Sequence, residues 1–273
     1  MDQLPSLTQE VLDFALEAGR RVLRFYRQER TDTVKADASP LTAADLASHE
    51  YLVAALLPLL PGVPVVSEES DPLAGASIPS RFWLVDPLDG TKEFIKATDE
   101  FTVNIALVDG GSPVLGVVHA PALNRTYYGA TGHGSWMVDE GQPAARISCR
   151  QWNPDHLAVV ASKDHAGPLV KTLLERLPQA SLRSMGSSLK FCLVAEGKAD
   201  IYLRDLPTME WDTAAAQCVV EAAGGGVYDL SGGRLEYGKA GLKNPAIMTV
   251  GDCQLDWAAF VAPREEQGLP SKP

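Results

Sequence analysis

The stretch WLVDPLDGT, residues 83–91, places an apolar strand directly before two carboxylates, Asp86 and Asp89. The proline between them fixes one backbone angle, and Gly90 can adopt a positive φ, which permits a sharp turn. This geometry can direct both carboxylates and the Leu88 carbonyl to one point. Hard divalent cations prefer such oxygen ligands. The stretch therefore predicts a metal site at the end of a strand.

Thr91 follows the turn, and we expect it to cap a short helix that continues through residue 94. The first N–H groups of a helix and the positive end of its dipole attract phosphate. A metal and a phosphate would then meet at one place. The alternative is a capped turn with two surface acids, because Asp and Gly are common turn residues.

Two further acidic features lie outside this stretch. Glu68 and Glu69 follow a short β-branched strand, and Asp212 begins an apolar helix. Taken singly, Asp212 is typical of a helix N-cap, and the two glutamates are typical of solvated acids. Together with residues 83–91 they offer at least four carboxylates at strand or helix ends. A site for two cations about 3.5–4 Å apart needs such a set.

The hydrophobic pattern predicts an α+β lobe over residues 1–152 and an α/β lobe over residues 153–273, with a boundary near Trp152. The elements predicted in the first lobe are helices at 8–30 and 42–60 and strands at 63–67, 82–85, 101–108, 114–119, 126–130 and 135–138. Those predicted in the second lobe are strands at 157–161, 199–203, 227–228 and 246–250 and helices at 168–176, 187–195, 212–223 and 255–260.

Composition narrows the class of protein. The chain of 273 residues has a net charge of −11 and no block of Lys and Arg, which argues against a nucleic-acid or membrane partner. Its four cysteines form no CxxC pair and are typical of reduced thiols. The sequence shows no signal peptide and no apolar run of ~18 residues. We therefore expect a cytoplasmic protein that spans no membrane.

The three acidic features resemble the signature motifs of the inositol monophosphatase superfamily, in the same order, and the resemblance covers nearly the whole chain. It implies a layered α/β sandwich in which helix and sheet layers alternate. Segments 39–45, 92–95, 101–107 and 186–197 resemble the bacterial 3′(2′),5′-bisphosphate nucleotidase branch. Inositol monophosphatases usually continue Asp-Gly-Thr with Thr-Asn-Phe, where this chain has Lys-Glu-Phe.

The resemblance implies an enzyme that uses two or three Mg²⁺ ions to hydrolyse the 3′-phosphate of 3′-phosphoadenosine 5′-phosphate. The products would be AMP and phosphate, formed by in-line attack of an activated water. The implied metal ligands are Glu68, Asp86, the Leu88 carbonyl, Asp89 and Asp212. Thr91 and Asp45, with Glu68 close by, would orient and deprotonate the water.

The resemblance also implies a nucleotide site, to which the C-terminal lobe contributes the binding segment and the last metal ligand. The implied substrate-binding residues are Gly90, Thr91, His165, Ser187, Lys190, Arg204 and Asp212. Lys190 and Arg204 are suitable partners for the 5′-phosphate. The small phosphorylated nucleotide would be the partner of a monomer or homodimer, and its removal would serve sulfur assimilation.

Three alternatives stay open at this point. Phosphatases of the haloacid-dehalogenase type use Asp-x-Asp-Gly-Thr, but the spacing here is one residue longer, and that chemistry has no need for Glu68 or Asp212. Within the superfamily, inositol monophosphate or fructose 1,6-bisphosphate could be the substrate. A non-catalytic protein that binds a phosphorylated ligand is the third alternative. Loss of Thr91, Asp86 or Glu68 would mark it, and all three are present.

Overall fold

The computed structural model describes residues 4–26, 33–34, 40–41, 43–70, 78–161 and 167–261. Within these ranges, layers of helix and sheet alternate in the order helix, sheet, helix, sheet, helix. This arrangement confirms the predicted layered α/β sandwich. The division into lobes 1–152 and 153–273 stays a prediction, and one core cluster draws on residues of both ranges.

The helices are α1 Leu4–Leu23, α2 Ala43–Leu59, α3 Thr91–Ile95, α4 Pro168–Arg176, α5 Leu189–Ala195, α6 Ala214–Ala222 and α7 Ala258–Val261. The strands before residue 150 are β1 Thr33–Val34, β2 Pro40–Leu41, β3 Val65–Ser67, β4 Arg81–Asp89, β5 Thr102–Asp109, β6 Ser112–Ala120, β7 Arg125–Ala130, β8 Gly134–Asp139 and β9 Ala145–Ile147. The later strands are β10 Ala158–Ala161, β11 Ser181–Ser184, β12 Ile201–Arg204, β13 Thr208–Met209, β14 Gly226–Asp229, β15 Lys243–Asn244 and β16 Ile247–Val250.

Two sheets organise these strands. A seven-stranded sheet runs from β3 to β9 in chain order, and only its β3–β4 pair is parallel. A five-stranded sheet has the order β11-β10-β12-β16-β14. β1 pairs with β2, and β13 pairs with β15, as separate two-stranded ladders. The β13–β15 ladder lies in the part of the chain that carries Asp212.

Strand β4 shows why the central layers form. Its side chains alternate between two faces: Trp83 and Val85 join a cluster under α1 and α2, whereas Phe82 and Leu84 join a cluster with α5 and α6. A strand covered on both faces needs a continuous apolar run, which the sequence supplies up to Val85. The α5 and α6 layer lies between the two sheets, and α4 and α7 cover the far side of the five-stranded sheet.

The ladder between β4 and β5 breaks at the residues that open the site. Pairing shifts register between Asp86 and Asp89, so the chain bulges there. The predicted strand 82–85 therefore continues to Asp89 beyond the expected end. Bulges change the direction of nearby side chains, and this one lies between the two predicted metal ligands.

Other boundaries also differ from prediction. Helix α1 ends at Leu23 and turns at 24–26, before the expected residue 30. The first residue of the helix predicted at 42–60, Thr42, lies outside the described residues. β9 and β11 were not predicted, because they are short and largely exposed at sheet edges. No helix within the described ranges combines the length and the apolar character needed to cross a bilayer.

Candidate active site

A cavity of about 590 Å³ opens beside the end of β4. It is bordered by β4 and α3 on one side and by α5, β12 and the turn at 210–212 on the other. Most of the predicted site residues line it: Glu68, Asp86, Leu88, Asp89, Gly90, Thr91, Ser187, Lys190, Arg204 and Asp212. The fold therefore brings together residues that are more than a hundred positions apart in the sequence.

Asp86 occupies the last regular position of β4 before the bulge and is almost fully buried. The backbone N–H of Leu88 donates to its Oδ1 at 3.1 Å. The bulge is held from behind, since the Ser48 hydroxyl donates to the Pro87 carbonyl at 2.9 Å. One oxygen of Asp86 is thus fixed by the local backbone, and the carboxylate cannot swing away from the cavity.

Asp89 is held by donors from two distant segments. Its Oδ2 accepts from the backbone N–H of Ser188 at 2.6 Å, the Thr102 hydroxyl at 3.4 Å and the Asn104 amide at 3.5 Å. Asn104 also donates to the Ser188 hydroxyl at 3.0 Å. The segment before α5 and strand β5 together define where this carboxylate points.

Asp212 ends a 3₁₀ turn, Glu210–Asp212, which precedes α6. Its Oδ2 accepts from the backbone N–H of Met209 at 2.9 Å, and its carbonyl accepts from the Ser188 hydroxyl at 2.8 Å. Asp212 does not cap the following helix, which was the alternative for this residue taken singly, because its carboxylate turns back to Met209 and caps the 3₁₀ turn. α6 itself begins after Thr213 without a side-chain cap.

These three carboxylates form an acidic cluster. One oxygen from each of Asp86, Asp89 and Asp212 lies within 4.8 Å of the others. Burial raises the pKa of Asp86 well above its ordinary value, and the charges of Glu68 and Asp89 raise it further. Burial and the charge of Asp89 likewise raise the pKa of Asp212. Several buried carboxylates at this spacing repel one another, and a hard divalent cation would relieve that repulsion.

The turn at 90–91 differs in detail from the prediction. Gly90 adopts a φ of 90°, as expected for a sharp turn, and it precedes the first residue of α3. Thr91 is therefore the first helical residue, and the prediction that it caps the helix was wrong. Its hydroxyl donates instead to the Leu88 carbonyl at 3.3 Å. The Thr91 hydroxyl and the Leu88 carbonyl are thus held side by side on the cavity wall by this hydrogen bond.

One predicted residue that the structure describes, Asp45, does not line the cavity. Asp45 lies on α2 and is fully buried behind the wall formed by β4. Burial is the main cause of the raised pKa of Asp86, and the charge of Asp45 adds to it. His165 lies outside the described residues.

Two cationic side chains also line the cavity. Lys190, on α5, is buried, and its Nζ lies 5.6 Å from the centroid of the Tyr202 ring. Burial lowers the pKa of Lys190 to about 8, although the nearby charge of Asp89 raises it in part. Arg204, at the end of β12, has a buried Nε that finds no hydrogen-bond partner among the described residues. An unsatisfied buried guanidinium nitrogen at a cavity wall favours an anionic ligand.

Sequence reasoning missed several residues that shape the site. Ser188 binds both Asp89 and Asp212, and Thr102 and Asn104 support Asp89. Ser188 lies in the segment 186–197 that had been singled out, but its two bonds span the fold. Thr102 and Asn104 alternate on β5, and polar residues in an otherwise apolar strand were the available signal.

The sequence is similar over most of its length to one known protein family and to named relatives. The model of the "Inositol monophosphatase family" matches residues 6–258. A relative from Escherichia coli strain K12, named "3′(2′),5′-bisphosphate nucleotidase CysQ", is 46% identical over 236 residues. The match covers 85% of this chain and 94% of that protein.

Solved structures give the same relationship. The crystal structure of CysQ from Bacteroides thetaiotaomicron, described as a bacterial member of the inositol monophosphatase family, aligns with a TM-score of 0.78 at 40% identity. It covers 90% of this chain and 97% of that one. The Thermotoga maritima IMPase aligns with a TM-score of 0.74 at 24% identity, covering 96% of each chain, and supports the fold alone.

Proposed function

We propose, from the premise that the chain belongs to the inositol monophosphatase family, that it is a Mg²⁺-dependent 3′(2′),5′-bisphosphate nucleotidase. Its substrate would be 3′-phosphoadenosine 5′-phosphate, hydrolysed to AMP and phosphate. The observation that carries the proposal is one cavity lined both by an acidic cluster and by two cationic side chains. A bisphosphate would place one phosphate at the acidic cluster, through the metal, and the other at the cationic side chains.

The acidic cluster fits a hard divalent cation. Glu68, Asp86, the Leu88 carbonyl, Asp89 and Asp212 would hold two or three Mg²⁺ ions. The fit rests on the oxygen donor set and on the raised pKa of Asp86, which is caused first by burial and then by the neighbouring carboxylates. Backbone N–H groups fix one oxygen of each aspartate, so the carboxylates are preorganised. Bound Mg²⁺ would supply Lewis-acid chemistry, both for activating a water and for neutralising charge on the phosphate.

Residues of the chain would orient the reacting groups. We assign to Thr91 Oγ1 the positioning of the attacking water, because this hydroxyl lies on the cavity wall and donates to Leu88. Asp45, which is fully buried, would be the proton acceptor, with Glu68 contributing. Because a hydroxyl carries one proton, Thr91 would release the Leu88 carbonyl and donate to Asp45 as it accepts the proton of the water. The N–H groups of Gly90 and Thr91 would bind the 3′-phosphate. No residue of the chain would become phosphorylated.

The two cationic side chains that line the cavity would give the site its preference for a nucleotide with a second phosphate. Lys190 and Arg204 would bind the 5′-phosphate, and Ser187 would lie beside them. Lys190 is buried against Tyr202, and the Arg204 Nε lacks a partner among the described residues, so both can engage a second phosphate. The name of the Escherichia coli relative, a 3′(2′),5′-bisphosphate nucleotidase, supports a bisphosphate nucleotide as the substrate. His165 stays a prediction for the substrate-binding set.

Product analysis tests the proposal. The purified protein is incubated with Mg²⁺ and 3′-phosphoadenosine 5′-phosphate, and 5′-AMP and 3′-AMP are separated by chromatography. The proposal predicts 5′-AMP and one equivalent of phosphate, with loss of both products when EDTA removes the metal. Formation of 3′-AMP would contradict the assigned orientation of the substrate. Full activity in EDTA would contradict the metal site.

A further inference from the structure

A second buried acidic group lies two residues before Asp212. Glu210 is completely buried, yet its carboxylate has a full set of donors. Its Oε2 accepts from the backbone N–H of Gly238 at 2.7 Å, and its Oε1 accepts from the backbone N–H of Lys239 at 2.9 Å. The Lys239 ammonium pairs with the same Oε1 at 2.8 Å. The loop at 238–239 therefore binds, through Glu210, the turn that carries Asp212.

The same loop reaches the turn by a second route. The Lys239 ammonium also donates to the Asn244 Oδ1 at 3.2 Å. The Asn244 amide donates to the Met209 carbonyl at 3.0 Å and to the Thr213 hydroxyl at 2.8 Å. These contacts fall on the residues directly before and after the turn Glu210–Asp212. Asn244 thus fixes both ends of the turn.

The hydrogen bond that aims Asp212 depends on this arrangement. Its donor is the N–H of Met209, whose carbonyl is fixed by Asn244. If Lys239 were lost, Glu210 would keep a buried charge without its counterion, and Asn244 would lose its donor. The turn would then have to move to solvate Glu210. A small rotation there displaces the Asp212 carboxylate from the other two acids.

We propose that Lys239, through Glu210 and Asn244, is a positioning residue that sets the affinity of the acidic cluster for its divalent cation. This inference rests on the proposed role of Asp212 as a metal ligand. Lys239 itself does not line the cavity. It acts on the metal site only through the turn, as outer residues around metal centres commonly do.

The chain offers a matched control. Arg150 pairs with Asp200, and their side chains are 33% and 2% exposed, compared with 34% and 0% for Lys239 and Glu210. Asp200 also accepts from the backbone N–H of Ala158 at 2.6 Å, so it is anchored much like Glu210. This pair has no contact with the cavity. Breaking it tests the cost of losing a buried ion pair without touching the metal site.

The test is a titration with Mn²⁺ in the absence of substrate, in which electron paramagnetic resonance measures the concentration of free Mn²⁺. It is carried out on the unmodified chain, on Lys239→Met and on Arg150→Met. We expect the Mn²⁺ dissociation constant to rise about 10-fold in Lys239→Met, in line with outer-shell changes at other metal sites. Arg150→Met should lower the melting temperature and leave the dissociation constant unchanged. The isosteric variant Glu210→Gln should raise the Mn²⁺ dissociation constant in the same way. It replaces Lys239→Met in the test if that variant does not fold.

Unchanged Mn²⁺ affinity in Lys239→Met or in Glu210→Gln would overturn the inference. Equal weakening in Arg150→Met would also overturn it, since the effect would then follow general destabilisation. If the unmodified chain binds no Mn²⁺, the proposed metal site fails, and this inference fails with it. The unmodified titration therefore separates failure of the proposed function from failure of the positioning role.

Discussion

The backbone N–H of Ser188 donates to the Oδ2 of Asp89 at 2.6 Å, across 99 residues of sequence. Ser188 precedes α5 in the layer between the two sheets, and Asp89 ends the β4 strand of the seven-stranded sheet. The acidic cluster therefore takes shape only when the central helical layer docks on that sheet.

Asp89→Asn should lower kcat by at least ~100-fold, because it removes a charge from the proposed metal cluster. The fold should survive, since the asparagine Oδ1 can still accept from Ser188. The measurement is phosphate release at saturating substrate, with a melting curve of the same sample. Asp109→Asn, which alters an exposed acid at the end of β5, is the control and should keep full activity. Unchanged activity in a folded, metal-loaded Asp89→Asn would contradict the metal assignment.

Lys190→Met should raise KM for 3′-phosphoadenosine 5′-phosphate far more than KM for inositol 1-phosphate, which has no second phosphate for this side chain. Methionine fits because the lysine is buried against Tyr202. Lys198→Met is the control, since that lysine lies just beyond α5 and is half-exposed. Equal effects on both substrates would mean that Lys190 does not contact the 5′-phosphate.

Gly90→Ala should destabilise the site as well as the turn. The residue has a φ of 90°, and a Cβ there would lie 3.2 Å from both the Glu100 carbonyl and the Ser187 Cβ. Gly132→Ala is the control, because its φ is 80° and nothing lies within 4 Å. The control should cost ~1–2 kcal/mol of unfolding free energy from backbone strain alone. Gly90→Ala should cost more and reduce kcat. Equal unfolding free energies and full activity would show that close packing at Gly90 is unimportant.

His119 should make the protein sensitive to acid. Burial lowers its pKa to about 4, and its Nδ1 lies 2.9 Å from the Thr126 hydroxyl. An unfolded histidine has a pKa near ~6.5, so the unfolded chain takes up the proton first. Stability is therefore full above that pH and falls as the pH drops towards 4, by at most ~3 kcal/mol.

His119→Asn should reduce the change in unfolding free energy between these two pH values, as measured by urea unfolding across the range. His133→Asn, which changes an exposed histidine, should leave the slope as it is. An unchanged pH slope in His119→Asn would show that another group causes the acid sensitivity.

Much of the fold was predictable because the strands of the seven-stranded sheet carry long apolar runs. The run at 101–108 predicted β5 to within one residue, Thr102–Asp109. The register break between Asp86 and Asp89 was not predictable, since it depends on pairing with β5. Edge strands such as Ser181–Ser184 gave no signal, because all of their residues are exposed.

The metal-ligand candidates followed from acids at the ends of apolar elements, and the fold places Asp86, Asp89 and Asp212 together. Their supporting residues could not be derived in the same way. Ser188 reaches Asp89 and Lys239 reaches Glu210 through contacts between distant segments. The local sequence pattern of neither segment predicts which distant residue it will contact. The expected cap at Thr91 is absent for a related reason, because its hydroxyl bonds to Leu88, which precedes it. The Asp212 carboxylate likewise bonds to the preceding Met209.

The most direct test of the proposed function compares phosphate release with Mg²⁺ from 3′-phosphoadenosine 5′-phosphate, inositol 1-phosphate and fructose 1,6-bisphosphate at equal concentration. We predict a kcat/KM for the nucleotide at least ~100-fold above the others, a preference of ~2.7 kcal/mol. A preference for the inositol or sugar phosphate would contradict the substrate assignment and leave the metal site intact. No release from any of the three would contradict the catalytic proposal as a whole.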